Sequence, residues 1–363
     1  MNDEKYIVKS KTLLPVHVGG GAELLLDPLS YTVKDGWFYS IHLDKMFIHF
    51  PQFAKEFVEL TEKENSIIAL RNLIVETFDP KKRDCWSFRS KASTEFEREF
   101  DSKRGGLNNQ LLVQCMMHTN NRPIIPGSSI KGAMRTAILD ERVRSKDESY
   151  EEKLLRKTRY QNRLNKEASK IVEGEILMES KFQISKDPFR GLKTTDAILP
   201  EDSTEIVQIY NVNPKKDSKG IPMWVEVVKQ GVDFSFELAI LNEKKFENTI
   251  RPFSIQSEEI LDSCFDFFMN VFYDEVENFY TNSDSLKCHK NISEIKKICE
   301  NIGESNTLLR IGRFSHLESM TFSGKLRQPQ HEKGWGKTRN LINGEIPLGM
   351  VICNFEKLEQ KQI

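Results

Sequence analysis

Over residues 6–50, short apolar runs alternate with polar positions and are broken by turn signals. "YIVKSKTLLPVHV" and "WFYSIHL" have the period of two expected of half-buried strands, and "GGGAE" and "KDG" punctuate them. Residues 51–76, "PQFAKEFVELTEKENSIIALRNLIVE", carry a helical pattern, and "QLLVQCMM" at 110–117 is a further strand candidate. In "IIPGSSIKGAMRTAIL" at 124–139, Ile130, Ala133, Met134, Ala137 and Ile138 recur at i, i+3, i+4, i+7 and i+8. That spacing predicts a helix with one buried stripe. Pro126-Gly127 turns the chain before it, Ser128 or Ser129 is the expected N-cap, and Lys131 and Arg135 fall on another face.

Residues 140–173 mix both charges densely and read as a solvated helical hairpin or loop. Near residue 201 strand-like segments resume: "TEIVQIYNV", "MWVEVVKQG" and "DFSFELAIL", with "VNPKKDSKGIP" as a hairpin loop. Ile260, Leu261, Cys264, Phe265, Phe268, Val271, Phe272 and Val276 then repeat at helical spacing, so the phenylalanines of this segment read as core. A second helix is expected over 287–302, stopped by Gly303. The tail, 308–355, is glycine-rich and basic with strand-like ends. The expectation is an α+β chain of two units, 1–200 and 201–363. The first carries a charged helical insertion near 140–173; the second has helices near 256–302 and a glycine-rich basic loop over 308–350.

Charge sharpens the picture through its distribution. The net charge is only −1, but seven Lys/Arg and two acids lie between Arg310 and Arg339, and three basic residues and no acid lie between Arg122 and Arg135. Basic side chains gather where glycines gather. The six cysteines show no CxxC spacing, which excludes the common zinc ribbons and fingers and fits a reducing cytoplasm. Cys288-His289 is a lone pair that reads as ordinary side chains at a helix start, and no metal or cofactor is expected. No apolar h-region opens the chain, and no apolar run approaches the ~20 residues of a membrane span, so a cytoplasmic protein with no membrane partner is expected.

Two stretches imitate a nucleotide-binding P-loop. "GSSIKGAM" supplies Gly127 and Gly132 but has Ala133-Met134 where Lys-Ser/Thr belongs. "HEKGWGKT" supplies Gly336-Lys337-Thr338 but has His331 in place of the first glycine. The phosphate that remains is a diester backbone. A helix N-terminus offers N–H donors and partial positive charge, Ser128 and Ser129 offer hydroxyls, and Lys131 and Arg135 offer cations; none of these reads a base. "LLRIGRFSHLESMTF" adds Arg310, Gly312 and Arg313. "GWGKTRNL" adds Lys337, Thr338 and Arg339, with Trp335 as a stacking or rim aromatic. "PVHVGGGAE" adds His17, Gly19 and Gly20.

Taken in order, "PVHVGGG", "LDPLSYTVKDG", "IPGSSIKGAMRTAIL", "DPFRGLKTTDA", "LLRIGRFSHLESMTF" and "GKTRNLINGEIPLGMV" resemble the RAMP superfamily of CRISPR proteins. Within it, the likeness is to the family of fifth Csm subunits of type III-A effector complexes. The resemblance implies two ferredoxin-like (RRM-like) RAMP domains. It implies a non-catalytic subunit that binds CRISPR RNA towards the guide 3′ end and aids its maturation in antiviral defence. Its partners would be the backbone RAMP subunit, other Csm subunits and cellular trimming nucleases. The same resemblance makes Gly127, Ser128, Ser129, Lys131 and Arg135 candidate RNA contacts, and fits Gly312, Arg313, Lys337, Thr338 and Arg339 to the C-terminal loop. The alternative is a metal-independent RAMP endoribonuclease that processes CRISPR transcripts. It needs a general base and acid, for which His17, His316 or His331, with Lys337, are the nominees.

Overall fold

Two β-sheets organise the chain, and each takes strands from both sides of residue 200. The expected boundary there does not separate the sheets, because strands distant in sequence complete one another's hydrogen bonding. The computed structural model describes residues 3–64, 66–106, 111–160, 163–164, 167–213, 218–241, 254–280, 289–327 and 336–359. Among these residues the architecture is mixed α and β.

The smaller sheet runs in the order Leu192–Thr194, Asp233–Ile240, Glu4–Thr12, Met350–Lys357, Asn306–Arg310, every neighbour antiparallel. Alternation along Glu4–Thr12 buries Tyr6 and Val8 and exposes Lys9 and Lys11. The buried face receives two helices, Gly127–Arg144 and Ser257–Glu275. Ile130, Met134, Ala137 and Ile138 of the first meet Phe267, Phe268 and Phe272 of the second in one cluster, so the phenylalanine-rich segment is core. Arg142 pairs with Glu259 at 2.6 Å and locks the two helices together. The outward face carries the ion pairs Lys9–Glu356 at 2.7 Å and Lys11–Asp233 at 3.4 Å.

The larger sheet follows the path Leu25–Leu26, Val113–Gln114, Met223–Val228, Thr204–Asn213, Trp86–Ala92, Trp37–Ile41, Tyr31–Lys34, with Arg339–Ile342 and Ser218–Lys219 also paired to Thr204–Asn213. One face, with Phe38, Phe88, Ile206 and Trp224, is covered by Phe96 and Phe100 of the Thr94–Lys103 helix. On the other face Tyr39 and Ile41 pack under the helices Leu43–His49, Pro51–Thr61 and Ile67–Thr77. The helical pattern read over 51–76 is realised as two helices, Pro51–Thr61 and Ile67–Thr77. "QLLVQCMM" is strand only at Val113–Gln114, and its first residue lies outside the described residues. The charged 140–173 region forms the helices Glu148–Thr158 and Ala168–Met178, which bury Leu154, Val172, Ile176 and Leu177 and leave most charges in solvent. Thr204–Asn213 and Met223–Val228 pair antiparallel across the expected hairpin, whose residues 214–217 lie outside the described residues.

Residues 13–19 run between the two sheets. Leu13 and Leu14 N–H donate to Met350 O at 2.9 and 3.1 Å, Val16 and Val228 exchange both bonds at 3.1 and 2.7 Å, and Met117 N–H donates to Val18 O at 3.0 Å. From the C-terminal side Arg313 N–H donates to His17 O at 2.9 Å. That approach demands Gly312, which has φ +99° and whose added Cβ would lie 2.3 Å from His17 O.

Beside this seam lies a buried charge network. Arg310 and Arg339 are 4% and 3% exposed. Arg310 bonds Glu275; Arg339 lies 2.8 Å from Glu275 and 2.7 Å from Glu318, with its guanidinium 3.5 Å over the Phe279 ring. Two cations meet two anions, which is how such groups survive desolvation. The network ties a strand of the small sheet, a core helix and a strand of the large sheet. His316 sits against it; burial, then Arg310 and Arg339, hold its pKa down at about 3.

Two predictions follow from this packing. Because His316 titrates lower in the folded chain than in the unfolded one, the folded chain binds fewer protons between about 3 and 6.5, and stability rises with pH across that window. Lowering the pH from 7 to 5 is expected to cost about 2 kcal/mol at His316. His17, whose pKa is also lowered by burial, acts in the same direction. Urea midpoints at the two pH values check this, and His316→Asn should show a smaller drop. Separately, Gly312→Ala should destabilise by on the order of 2 kcal/mol through clash and backbone strain. Gly132→Ala, where an added Cβ meets nothing within 4 Å, should stabilise by about 1 kcal/mol in the same assay.

Candidate nucleic-acid interface

The helix at "GSSIKGAMR" begins before the position its serines suggest. Pro126 is the N-cap and Gly127 the first helical residue. Gly127 N–H donates to Asp196 Oδ1 at 2.8 Å, and Thr194 Oγ1–H donates to Gly127 O at 2.8 Å. A Cβ at Gly127 would lie 2.7 Å from the carbonyl oxygens of Thr194 and Thr195. The positive end of this helix is thus met by a carboxylate from a segment nearly seventy residues on, with |i−j| of 69. Neither Ser128 nor Ser129 caps, and Gly127 is a buried packing glycine rather than an open phosphate cradle.

Several predicted cations are likewise engaged. Lys131 Nζ donates to Leu192 O at 2.8 Å, and burial followed by neighbouring Lys193 lowers its pKa. Arg135 bonds Glu173 and, at 2.9 Å, Asp187, with its guanidinium 4.5 Å over Phe189. Arg310 and Arg339 belong to the buried network. Each of these four has an internal partner in this fold rather than standing free. His17 is 1% exposed. Its Nδ1 bonds Glu226 O at 2.7 Å, which makes Nδ1 the donor in the neutral ring, and it packs on Phe314. Its side chain is a seam residue, not a surface contact. Arg313 and Lys337 remain exposed, and neither has an ion-pair partner among the described residues.

Three of the glycine-bearing segments nevertheless converge. A cleft of about 760 Å³ is walled by Val18, Gly19 and Gly21, by Gln114, by Ser129, Gly132, Ala133 and Thr136, and by Arg310, Ile311, Gly312, Arg313, Ser315, Ser319 and Met320. None of these residues is acidic. The helix presents positions i, i+3, i+4 and i+7 to it, a small and hydroxyl-bearing stripe beside the buried apolar one. Gly19, Ser129, Arg310, Gly312 and Arg313 of the sequence candidates line it. Gly20, Gly127, Ser128, Lys131, Arg135, Lys337, Thr338 and Arg339 do not. Thr136, Gln114, Ser315 and Ser319 were missed. Thr136 was legible as the i+7 partner of Ser129, whereas Gln114 enters only through sheet pairing. Trp335 and His331 lie outside the described residues.

The two described histidine nominees suit acid–base work poorly. His316 is neutral down to about pH 3, and His17 is sealed from solvent. Among the described residues one mixed grouping of metal-binding type occurs, His49, Asp84 and Cys85. His49 already bonds Asp84 at 2.6 Å and Cys85 packs in the core; none of the three lines the cleft. Cys288 lies outside the described residues. Among the described residues no helix is long and apolar enough to cross a membrane.

Known proteins resemble this chain in sequence and in fold. A CRISPR-system protein Csm5 of Methanocaldococcus jannaschii is 26% identical over 242 residues, 65% of this chain and 53% of that protein; the chain spans about half the length of this curated relative. A chain in the cryo-EM structure of a type III-A Csm–crRNA–target RNA ternary complex superposes with a TM-score of 0.69 at 17% identity, covering 96% of this chain and 100% of its own. The crystal structure of T. onnurineus Csm5 superposes with a TM-score of 0.63 at 17% identity, covering 95% and 99%. The family model of the RAMP superfamily matches residues 9–307. That match spans well over half of the chain, and the chain belongs to the RAMP superfamily.

Proposed function

We propose that this protein is a non-catalytic, CRISPR RNA-binding subunit of a type III-A effector complex, assembling at the guide 3′ end and assisting its maturation. The observation that carries this reading is the cleft: open, free of acidic side chains among the described residues, and edged by Arg313, an exposed cation with no ion-pair partner among them. A sugar-phosphate strand needs such a trough, with hydroxyls and close backbone approach, and needs no base-reading pocket. The likeness to a chain of a Csm–crRNA–target RNA complex supports CRISPR RNA and other Csm subunits, the backbone RAMP subunit among them, as partners. Cellular nucleases would trim the RNA beyond the grip. One ferredoxin-like unit is supported by the small sheet. Its strands Glu4–Thr12, Leu192–Thr194, Asp233–Ile240 and Met350–Lys357 alternate with two helices in β-α-β-β-α-β order and lie 2-3-1-4 across the sheet. The larger sheet would be the core of the second. For the endoribonuclease alternative, the described residues lining the cleft offer no acid–base pair.

Fluorescence anisotropy with single-stranded RNA of unrelated sequences tests the reading. Gly132→Leu places a side chain on the cleft floor while raising helix propensity by about 1 kcal/mol, so a tenfold or greater loss of binding with an undiminished melting temperature is expected. Lys131→Ala should leave the salt dependence of binding unchanged. Incubation with repeat RNA in EDTA should give no discrete cleavage; a clean product would promote the nuclease.

A further inference from the structure

We infer that the cleft grips one internal phosphodiester of a strand passing through it, and does not seat a phosphorylated RNA end; this rests on the RNA-binding reading above. The argument is a charge balance. Among the described residues, Arg310 and Arg313 are the only charged ones lining the cleft, and Arg310 is committed to a network in which two arginines face two glutamates. Arg313 is left as one uncompensated positive charge. A phosphodiester carries one negative charge, whereas a terminal phosphate carries about 1.5 to 2 at neutral pH. The excess would lie near the carboxylates that hold Arg310 and Arg339.

The remaining polar groups supply hydrogen bonds without adding charge. Ser319 Oγ and Arg310 Nε are buried and have no hydrogen-bond partner among the described residues, and both residues line the cleft. The floor is Gly132, exposed, with nothing within 4 Å of where a Cβ would stand, so a ribose can lie on the helix backbone. One cation, neutral donors and a bare floor describe a passage rather than an end pocket.

The test is competition on the full-length chain by one RNA sequence in three forms: linear with a 3′-hydroxyl, linear with a 3′-phosphate, and circularised. All three are expected to compete within about twofold of one another. Arg313→Ala should reduce the slope of log affinity against log salt by about 0.7, the loss of one phosphate contact on a single strand, for linear and circular RNA alike. Arg313→Lys should keep the slope. Ser319→Ala should weaken binding several-fold with the slope unchanged. A circle that fails to compete, a 3′-phosphate that binds tenfold tighter, or an unchanged slope in Arg313→Ala overturns the inference while leaving RNA binding intact. Absence of salt-dependent binding by every form overturns the RNA-binding reading and this inference with it.

Discussion

The backbone contact between His17 and Gly312 is the constraint on which the rest of the molecule depends. Residues 13–19 lie between two sheets and satisfy their hydrogen bonds on both, and the C-terminal loop closes onto them through the Arg313 N–H bond to His17 O. Only a glycine permits that closure, since any Cβ at 312 would enter the carbonyl of His17. With the seam fixed, residues from 18–21, from 310–320 and from the Gly127–Arg144 helix line one trough. The cleft is therefore a by-product of how the sheets are joined.

The electrostatics follow the same logic. A chain with net charge −1 presents a cleft with no acid among its described lining residues, and many of its acids are engaged elsewhere. Glu275 and Glu318 neutralise Arg310 and Arg339 inside the protein, Glu173 and Asp187 hold Arg135, and Asp196 caps the helix. Buried arginines here set the position of strands and loops; removing one carboxylate would strand a charge in the interior, which is far costlier than losing a surface pair. The exposed cation at the cleft is then conspicuous by contrast. Arg313 projects from a residue whose own backbone is pinned, so its reach is set by the seam.

A good part of the fold was legible in the chain. Alternation in "EKYIVKSKT" and the stripe Ile130, Ala133, Met134, Ala137, Ile138 translate directly into a strand and a helix face, since burial of one side requires those periods. The phenylalanines of 265–272 belong to the core, as their spacing implies. The division of 51–76 into two helices and the interleaving of strands across residue 200 were not legible. The first turns on what each half packs against, and the second on pairing between residues up to hundreds apart.

Sequence alone indicated the N-terminal strand, the helix after Pro126 and the phenylalanine-rich core helix, and which glycines lie near basic residues, because these depend on local periodicity and composition. It could not decide which of those basic residues would face solvent. Arg135, Arg310, Arg313 and Arg339 are alike as letters beside glycines, and a carboxylate brought from a distant segment distinguishes them. Only the tertiary structure places Glu275 under Arg310 and Arg339 and leaves Arg313 open, since charge pairing in a low-dielectric interior is fixed by proximity in space and not by order along the chain.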